Sequence, residues 1–466
     1  MLFNSFSFFI FIVITFFLYY LPLFKRHQIS ILIIASVFFY AYDNPWLLSL
    51  LFSSVLINSY LSYYVAFGQR KKLVVTLGVV FNLSILAFFK YSPLLEVTFF
   101  DINHTFGSFL LSIPLPIGIS FFTFEGISLL VDVYKSKDPI SEKIVDVSLY
   151  KHMHKSLFFI VFFPHLVAGP ILKADDFYPQ ISNKKIIDID FNSCFRYLVV
   201  GYFLKMVIAD NLKEYTFWIE YPYFETQSSV ALLSMLIGYS CQIFADFAGY
   251  SLIALGLAKL FGYRLAENFN FPYISLTFKE FWKRWHISLS TFLMKYLYIP
   301  MGGNRNGKVK MFLFLFLTMV IGGLWHGAAW SFAVWGAFHG FLLIVERIIP
   351  SLNYSNLFVR FIKRCWVFTC VTFAWLLFKL TNFEQAIFYL KCIATNLDFH
   401  LNWQICINIF VYSLPIFLYH FLYLVKLRHK SWEIFFNKID FIIYGFMLFL
   451  IFTNSGIAGS FIYFQF

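Results

Sequence analysis

Charge is scarce in this chain. Charged residues make up 13% of its 466 positions, against roughly 25% for a soluble domain. That excludes an ordinary solvated globule. Long polar stretches are missing too: the largest, at about 132–155 and 171–193, are each too small for an independent core. The six cysteines (Cys194, Cys241, Cys365, Cys370, Cys392 and Cys406) form no CxxC pair and no framework spacing, so neither a disulfide nor a metal site is predicted. The N-terminal run MLFNSFSFFIFIVITFFLYYLPLF has no basic leader and no small-x-small cleavage site. It is expected to be a retained first span. No internal repeat of two halves is visible, which disfavours a secondary transporter.

What the chain has is apolar runs. They fall at about 5–23, 29–42, 46–67, 73–89, 106–122, 156–170, 194–209, 229–258, 311–328, 330–345, 365–380, 405–425 and 439–453. Several are short or broken by Pro or Gly and suit re-entrant or bundle-buried positions. The fold class expected is an all-α polytopic membrane protein with about eleven transmembrane helices plus short re-entrant and interfacial helices, one domain over 1–466. The net charge of +12 comes from Lys and Arg in short loops, as the positive-inside rule requires, so nucleic acid is not an expected partner. Clusters at Lys25-Arg26-His27, Gln69-Arg70-Lys71-Lys72, Arg305/Lys308/Lys310 and KLRHK (426–430), placed in the cytoplasm, put both termini outside. The Lys151-His152-Met153-His154-Lys155 run reads as a solvated basic loop.

The stretch Met311–Val345 contains no Asp, Glu, Lys or Arg. Its groups that titrate near neutrality are His326, beside Trp325 in GGLWHGAAW, and His339 in FHGF. An ionisable group at membrane depth is costly and marks a functional site by default. A structural histidine bonded inside the bundle is the competing reading, and for His339 it is the favoured one. His286 closes the segment FWKRWH. There Phe278, Phe281, Trp282 and Trp285 recur at i, i+3, i+4, i+7 and form one aromatic helix face. An interfacial helix explains that face, but not His286 with Ser288 and Ser290 where the charge stops, nor the break at Pro300 and Gly302-Gly303.

Three further features carry polar chemistry in apolar surroundings. Asp246 is the one charge in 229–258 and shares a helix face with Tyr239, Gln242 and Tyr250. It suits either a hydrogen-bonded stripe between helices or the polar wall of a cavity. FFPHLVAGPI (162–171), with His165 between Pro and Gly, predicts a broken helix whose freed backbone groups need a wet or protein-lined neighbourhood. The last six residues, FIYFQF (461–466), carry Tyr463. An aromatic interfacial anchor explains them, and so does a mobile tyrosine nucleophile.

FPHLVAGPI, ADFAGYSLIALGLAKLFGYRLAENFNFPY, FWKRWHISLSTFLMKYLYIPMGGNRNG and GGLWHGAAWSFAVWGAFHG together resemble the membrane-bound O-acyltransferase superfamily. PLPIGISFFTFEGISLLVDVYK (114–135) joins them. The likeness is greatest to its bacterial branch, the alginate O-acetyltransferase membrane component and the peptidoglycan O-acetyltransferase A protein, and it extends over nearly the whole chain. The resemblance implies a ring of tilted helices around a central tunnel. It implies that His326 is the central catalytic histidine and that His286 is the second characteristic polar position. It also implies that FIYFQF is an acyl-relay motif in which Tyr463 takes the acyl group and hands it to a periplasmic serine-dependent, esterase-like partner. One departure is Lys295, where relatives often carry an acidic residue in L-R-D-Y.

On this reading acetyl-CoA is the donor, with Lys283, Arg284, Arg305 and Lys308 as candidate phosphate contacts. His165, Asp246, Trp325 and His339 are candidate tunnel residues, and His326 is the base toward Tyr463. The protein sits among lipids in a bacterial inner membrane, and a polysaccharide is acetylated through the partner. Peptidoglycan and alginate-like exopolysaccharide both remain open as acceptors. D-alanyl export and direct acylation of lipid or protein stay as alternatives within enzymes, and a proton-coupled transporter as one outside them.

Overall fold

A computed structural model describes residues 1–99, 115–167, 169–349, 356–397, 400, 402–428, 430–459 and 461–462. These residues form helices and turns, with no strand among them. Nine of the described helices are long and apolar enough to cross a membrane, among them Leu47–Phe67, Ser229–Leu260, Gly307–His326 and Trp330–Ile348. Nine among the described residues lies within the expected eleven, give or take two, and the count of eleven itself is not reached there. The run at 106–122 lies partly outside them. Large apolar side chains such as Phe6, Ile34, Phe361 and Phe446 are exposed, as suits helices whose outer faces meet acyl chains.

The chain divides into two compact units: Met1–Leu198 with Ser251–Glu267, and Val199–Tyr250 with Asn268–Phe466. In the first, Leu47–Phe67, Lys71–Phe99 and Ile119–Lys135 pack together. Asn58 and Asn82 exchange amide hydrogen bonds at 3.1 and 2.7 Å, both side chains fully buried. Polar pairs of this kind hold helices together where lipid offers no hydrophobic drive.

One expectation changes here and another holds. The Lys151–Lys155 run is not a solvated loop. It lies in the helix Leu149–Val161, and His152 is buried with its Nε2 2.9 Å from Ser62 Oγ. The helical period turns His152 inward and leaves Lys151 exposed. The break expected in FFPHLVAGPI is present: the helix stops at Val161, Phe162 turns the chain, and one further turn runs Phe163–Leu166. The freed amide of Phe163 donates to Ser36 Oγ at 3.0 Å.

In the second unit, Gly307–His326 and Trp330–Ile348 form a tight hairpin. A Cβ on Gly323 would stand 2.2 Å from the Phe332 carbonyl oxygen, and one on Gly336 would stand 2.3 Å from that of Met319. Backbone oxygens cannot move aside, so the approach requires glycine at both positions. A Gly336→Ala substitution is expected to cost about 1–3 kcal/mol, read as a lower thermal midpoint in detergent. An unchanged midpoint would show that the close approach is dispensable.

Candidate active site

The second unit gathers the histidines. His326 is the last residue of its helix, and the Gly327–Ala329 link reverses the chain into the next one. The ring is 3% exposed and meets Trp325, Trp335 and Phe378 with centroids 5.1, 5.3 and 5.1 Å away. His286 lies 6.2 Å from His326, centroid to centroid, and 5.8 Å from Trp325.

His286 is set by a break in the chain. The helix Phe278–Arg284, capped by Thr277 Oγ1 accepting from Glu280 N–H, ends there. A second helix, Ile287–Leu293, begins after His286, whose φ of +41° is left-handed. A non-glycine residue there is strained and persists only where its surroundings impose it. Asn268 does so on the far side: its carbonyl accepts from Ile287 N–H at 3.0 Å, and its side-chain oxygen accepts from Ser288 N–H at 3.3 Å. Asn270 N–H donates to the Arg284 carbonyl on the near side. His286 is outside the nine candidate spans, and burial pushes its imidazole down to about 3, so the ring is neutral.

The aromatic face of FWKRWH packs inward against other aromatic rings. Phe278, Phe281 and Trp285 are buried, Trp282 meets Trp335 at 5.6 Å and His339 at 5.1 Å, and Trp285 meets Trp375 at 4.9 Å. His339 is fully buried, and neither ring nitrogen has a hydrogen-bond partner among the described residues. It does not face His326 directly, because Trp335 contacts both rings, at 5.3 and 4.8 Å.

On the other side of His286, Phe247 stands 4.6 Å from its ring and 5.7 Å from the ring of Phe461. Phe461 also lies 4.6 Å from Tyr250. The structure thus joins His326, His286 and the start of FIYFQF through one aromatic neighbour. Tyr463 lies outside the described residues.

Comparison with known proteins identifies the family. Residues 34–384 match the family model of MBOAT, the membrane-bound O-acyltransferase family. The chain belongs to that family. It is a multi-pass membrane O-acyltransferase. It is 38% identical over 380 residues to the "probable alginate O-acetylase AlgI" of Pseudomonas aeruginosa, covering 79% of this chain and 70% of that protein. It is 34% identical over 386 residues to the peptidoglycan O-acetyltransferase of Helicobacter pylori, covering 77% and 72%. The teichoic acid D-alanyltransferase of Bacillus subtilis is similar at 27% over 248 residues, 51% of this chain and 60% of that one.

Other predicted site residues of this O-acyltransferase are placed differently. Arg284 pairs with Glu280 at 2.9 Å and donates to the Asn270 carbonyl, so its guanidinium is already engaged. Lys283, Arg305 and Lys308 are exposed. His165 belongs to the first unit, where its Nδ1 is 2.9 Å from Glu125 Oε1 and both side chains are fully buried. A His165→Ala substitution leaves that carboxyl buried alone. It is expected to cost about 3 kcal/mol, measured as a fall in thermal stability. A His165→Gln variant recovering most of the loss would identify the contact as the cause.

Sequence reasoning missed two groups. Glu125 was seen only as part of a longer run. Lys205, a cation deep in an apolar run, reaches Asp246 and Asp210, each at 2.7 Å. An isolated charge inside an apolar run signals a buried partner of opposite sign, and both residues carry that signal.

Proposed function

We propose that this enzyme takes acetyl groups from cytoplasmic acetyl-CoA, carries them across a bacterial inner membrane, and supplies them for O-acetylation of an extracytoplasmic polysaccharide. The whole chain, 1–466, works as one catalytic domain around a tunnel, and 461–466 is the acyl relay. Both termini are extracytoplasmic in this reading, as the distribution of Lys and Arg supports. The acetyl group passes from Tyr463 to a periplasmic serine-dependent partner, which modifies peptidoglycan or an alginate-like exopolysaccharide.

The observation that carries the reading is the approach of His286 to His326, 6.2 Å between rings, with Phe247 bridging from His286 to Phe461. Tyr463 follows Phe461 by two residues, a reach of about 7 Å in extended chain. His326 takes the phenol proton of Tyr463. The oxygen attacks the thioester carbonyl, the C–S bond breaks, and the departing thiolate recovers the proton from His326. His286 positions the thioester. Asp246, Trp325 and His339 belong to the tunnel wall or its support, and His165 supports the packing of its own unit through Glu125. Exposed Lys283, Arg305 and Lys308 are the cations available to donor phosphates. The longer and stronger likeness to O-acetylating relatives than to the D-alanyl one supports acetyl as the group carried.

The test supplies purified protein in nanodiscs with isotopically labelled acetyl-CoA and reads the C-terminal peptide by mass spectrometry. Label on residues 461–466 is the expected result. Absence of label there, with transfer from a D-alanyl carrier instead, would remove the acetyl reading.

A further inference from the structure

Residues 461–462 lie beside a buried charge cluster that the relay chemistry does not itself require. Lys205 Nζ is 2.7 Å from Asp210 Oδ1 and 2.7 Å from Asp246 Oδ1, and the side chains are 7% exposed or less. The backbone around Lys205 is a π-helical stretch, Phe203–Ala209. Its wider turn brings residues five apart onto one face and lets Lys205 meet Asp210. Gly249 permits the other half of the contact, since a Cβ there would stand 2.9 Å from Lys205 N.

Lys205 engages one oxygen of each carboxylate, and Lys213 lies on the Asp210 side. The second oxygen of Asp246, Oδ2, accepts the backbone N–H of Ile462 at 2.7 Å. The chain leading there is tied at three more points. Asn211 Nδ2 donates to the Asn454 carbonyl, and Gly456 N–H donates to the Met206 carbonyl, each at 2.9 Å. Gly456 admits no side chain, because a Cβ would stand 2.6 Å from backbone atoms of Asp210 and Asn211. Phe461 then buries its ring against Tyr250, 4.6 Å away. A terminal segment without secondary structure is ordinarily poorly held unless tied down. Here a charge-assisted hydrogen bond ties it immediately before residue 463.

We propose that Lys205, Asp210 and Asp246 form a receptor for the chain's own C-terminal tail, in which Asp246 is the positioning residue that fixes where residue 463 is presented. The proposal rests on the relay reading for its purpose, and its structural half stands apart from it. Lys205 holds the Asp246 carboxylate in place, and Asp246 holds the tail amide. At residues 461–462 the dock consists of the Ile462 amide on Asp246 and the Phe461 ring on Tyr250.

Hydrogen exchange on the full-length protein in phosphatidylethanolamine and phosphatidylglycerol nanodiscs tests it. Asp246→Asn is expected to speed exchange in 456–462 by about tenfold or more. It is also expected to slow transfer of labelled acetyl onto the tail by a similar factor, while the half-saturating donor concentration stays unchanged. Asp246→Glu, which keeps the carboxylate, recovers at least part of both. Should Asp246→Asn fail to accumulate, Phe461→Ala, a change on the tail itself, gives the same comparison. Wild-type exchange in the soluble variants would overturn the dock. Lost protection with undiminished transfer onto the tail would overturn the positioning role. Full acceptor acetylation by Tyr463→Phe would remove the relay reading, and the exchange result would still decide the dock.

Discussion

Replacing His326 with alanine is expected to lower acyl transfer by about a thousandfold, the scale on which a positioned general base contributes. The ring sits against Trp325, Trp335 and Phe378 with 3% exposure, so removing it also opens a small cavity. Abundance and thermal midpoint in detergent therefore need measuring beside activity. A cavity of this kind lowers stability by a few kcal/mol at most and cannot by itself remove the reaction from folded protein. His339→Ala provides the comparison. That ring is equally buried and touches the same Trp335, but it has no direct contact with His326. A folded His326→Ala protein with activity within tenfold of wild type would mean that another group accepts the proton.

The second large effect is on the tail. Tyr463→Phe removes one oxygen and keeps the ring, so its effect reads the chemistry and not the packing. Acceptor acetylation in cells is expected to fall to background at normal protein abundance, and labelled acetyl should no longer be recovered on residues 461–466. Hydrogen exchange across 456–462 should be unchanged, because the described anchors of the tail are Phe461 and Ile462. Full acetylation by this variant would move the acyl acceptor elsewhere while leaving the family assignment intact.

The two effects differ in what they leave behind. His326→Ala keeps the nucleophile and loses the base. Tyr463→Phe keeps the base and loses the nucleophile. If His326 acts on Tyr463, the double variant should be no worse than the more damaged single one, since residues acting in one step are not additive.

Much of this was legible in the chain because a membrane makes charge expensive. Met311–Val345 has no Asp, Glu, Lys or Arg, so His326 and His339 stood out before any coordinate was known. The same logic exposed Asp246. Broken helices were legible at FFPHLVAGPI and at Gly302-Gly303, where φ values of +125° and +53° confirm the turn. The failures also share a cause. His152 was assigned to a solvated run because its neighbours are lysines, yet the helical period buries it on Ser62. FWKRWH was readable as a helix face, but amphipathicity does not say whether aromatics meet lipid or other aromatics. Arg284 looked available to phosphate, and its pairing with Glu280 is visible only once the helix is built.

The sequence by itself determined the class, the helical architecture, the family and the titratable residues, since each follows from hydropathy, periodicity or local strings. The tertiary structure decided which of those residues meet. It set His286 in a left-handed turn beside His326, placed Trp335 between His326 and His339, and paired His165 with Glu125. It brought Asp246 to both Lys205 and the amide of Ile462, 216 positions away. Such contacts depend on which helix faces pack together, and a one-dimensional pattern records which residues share a face but not what that face touches.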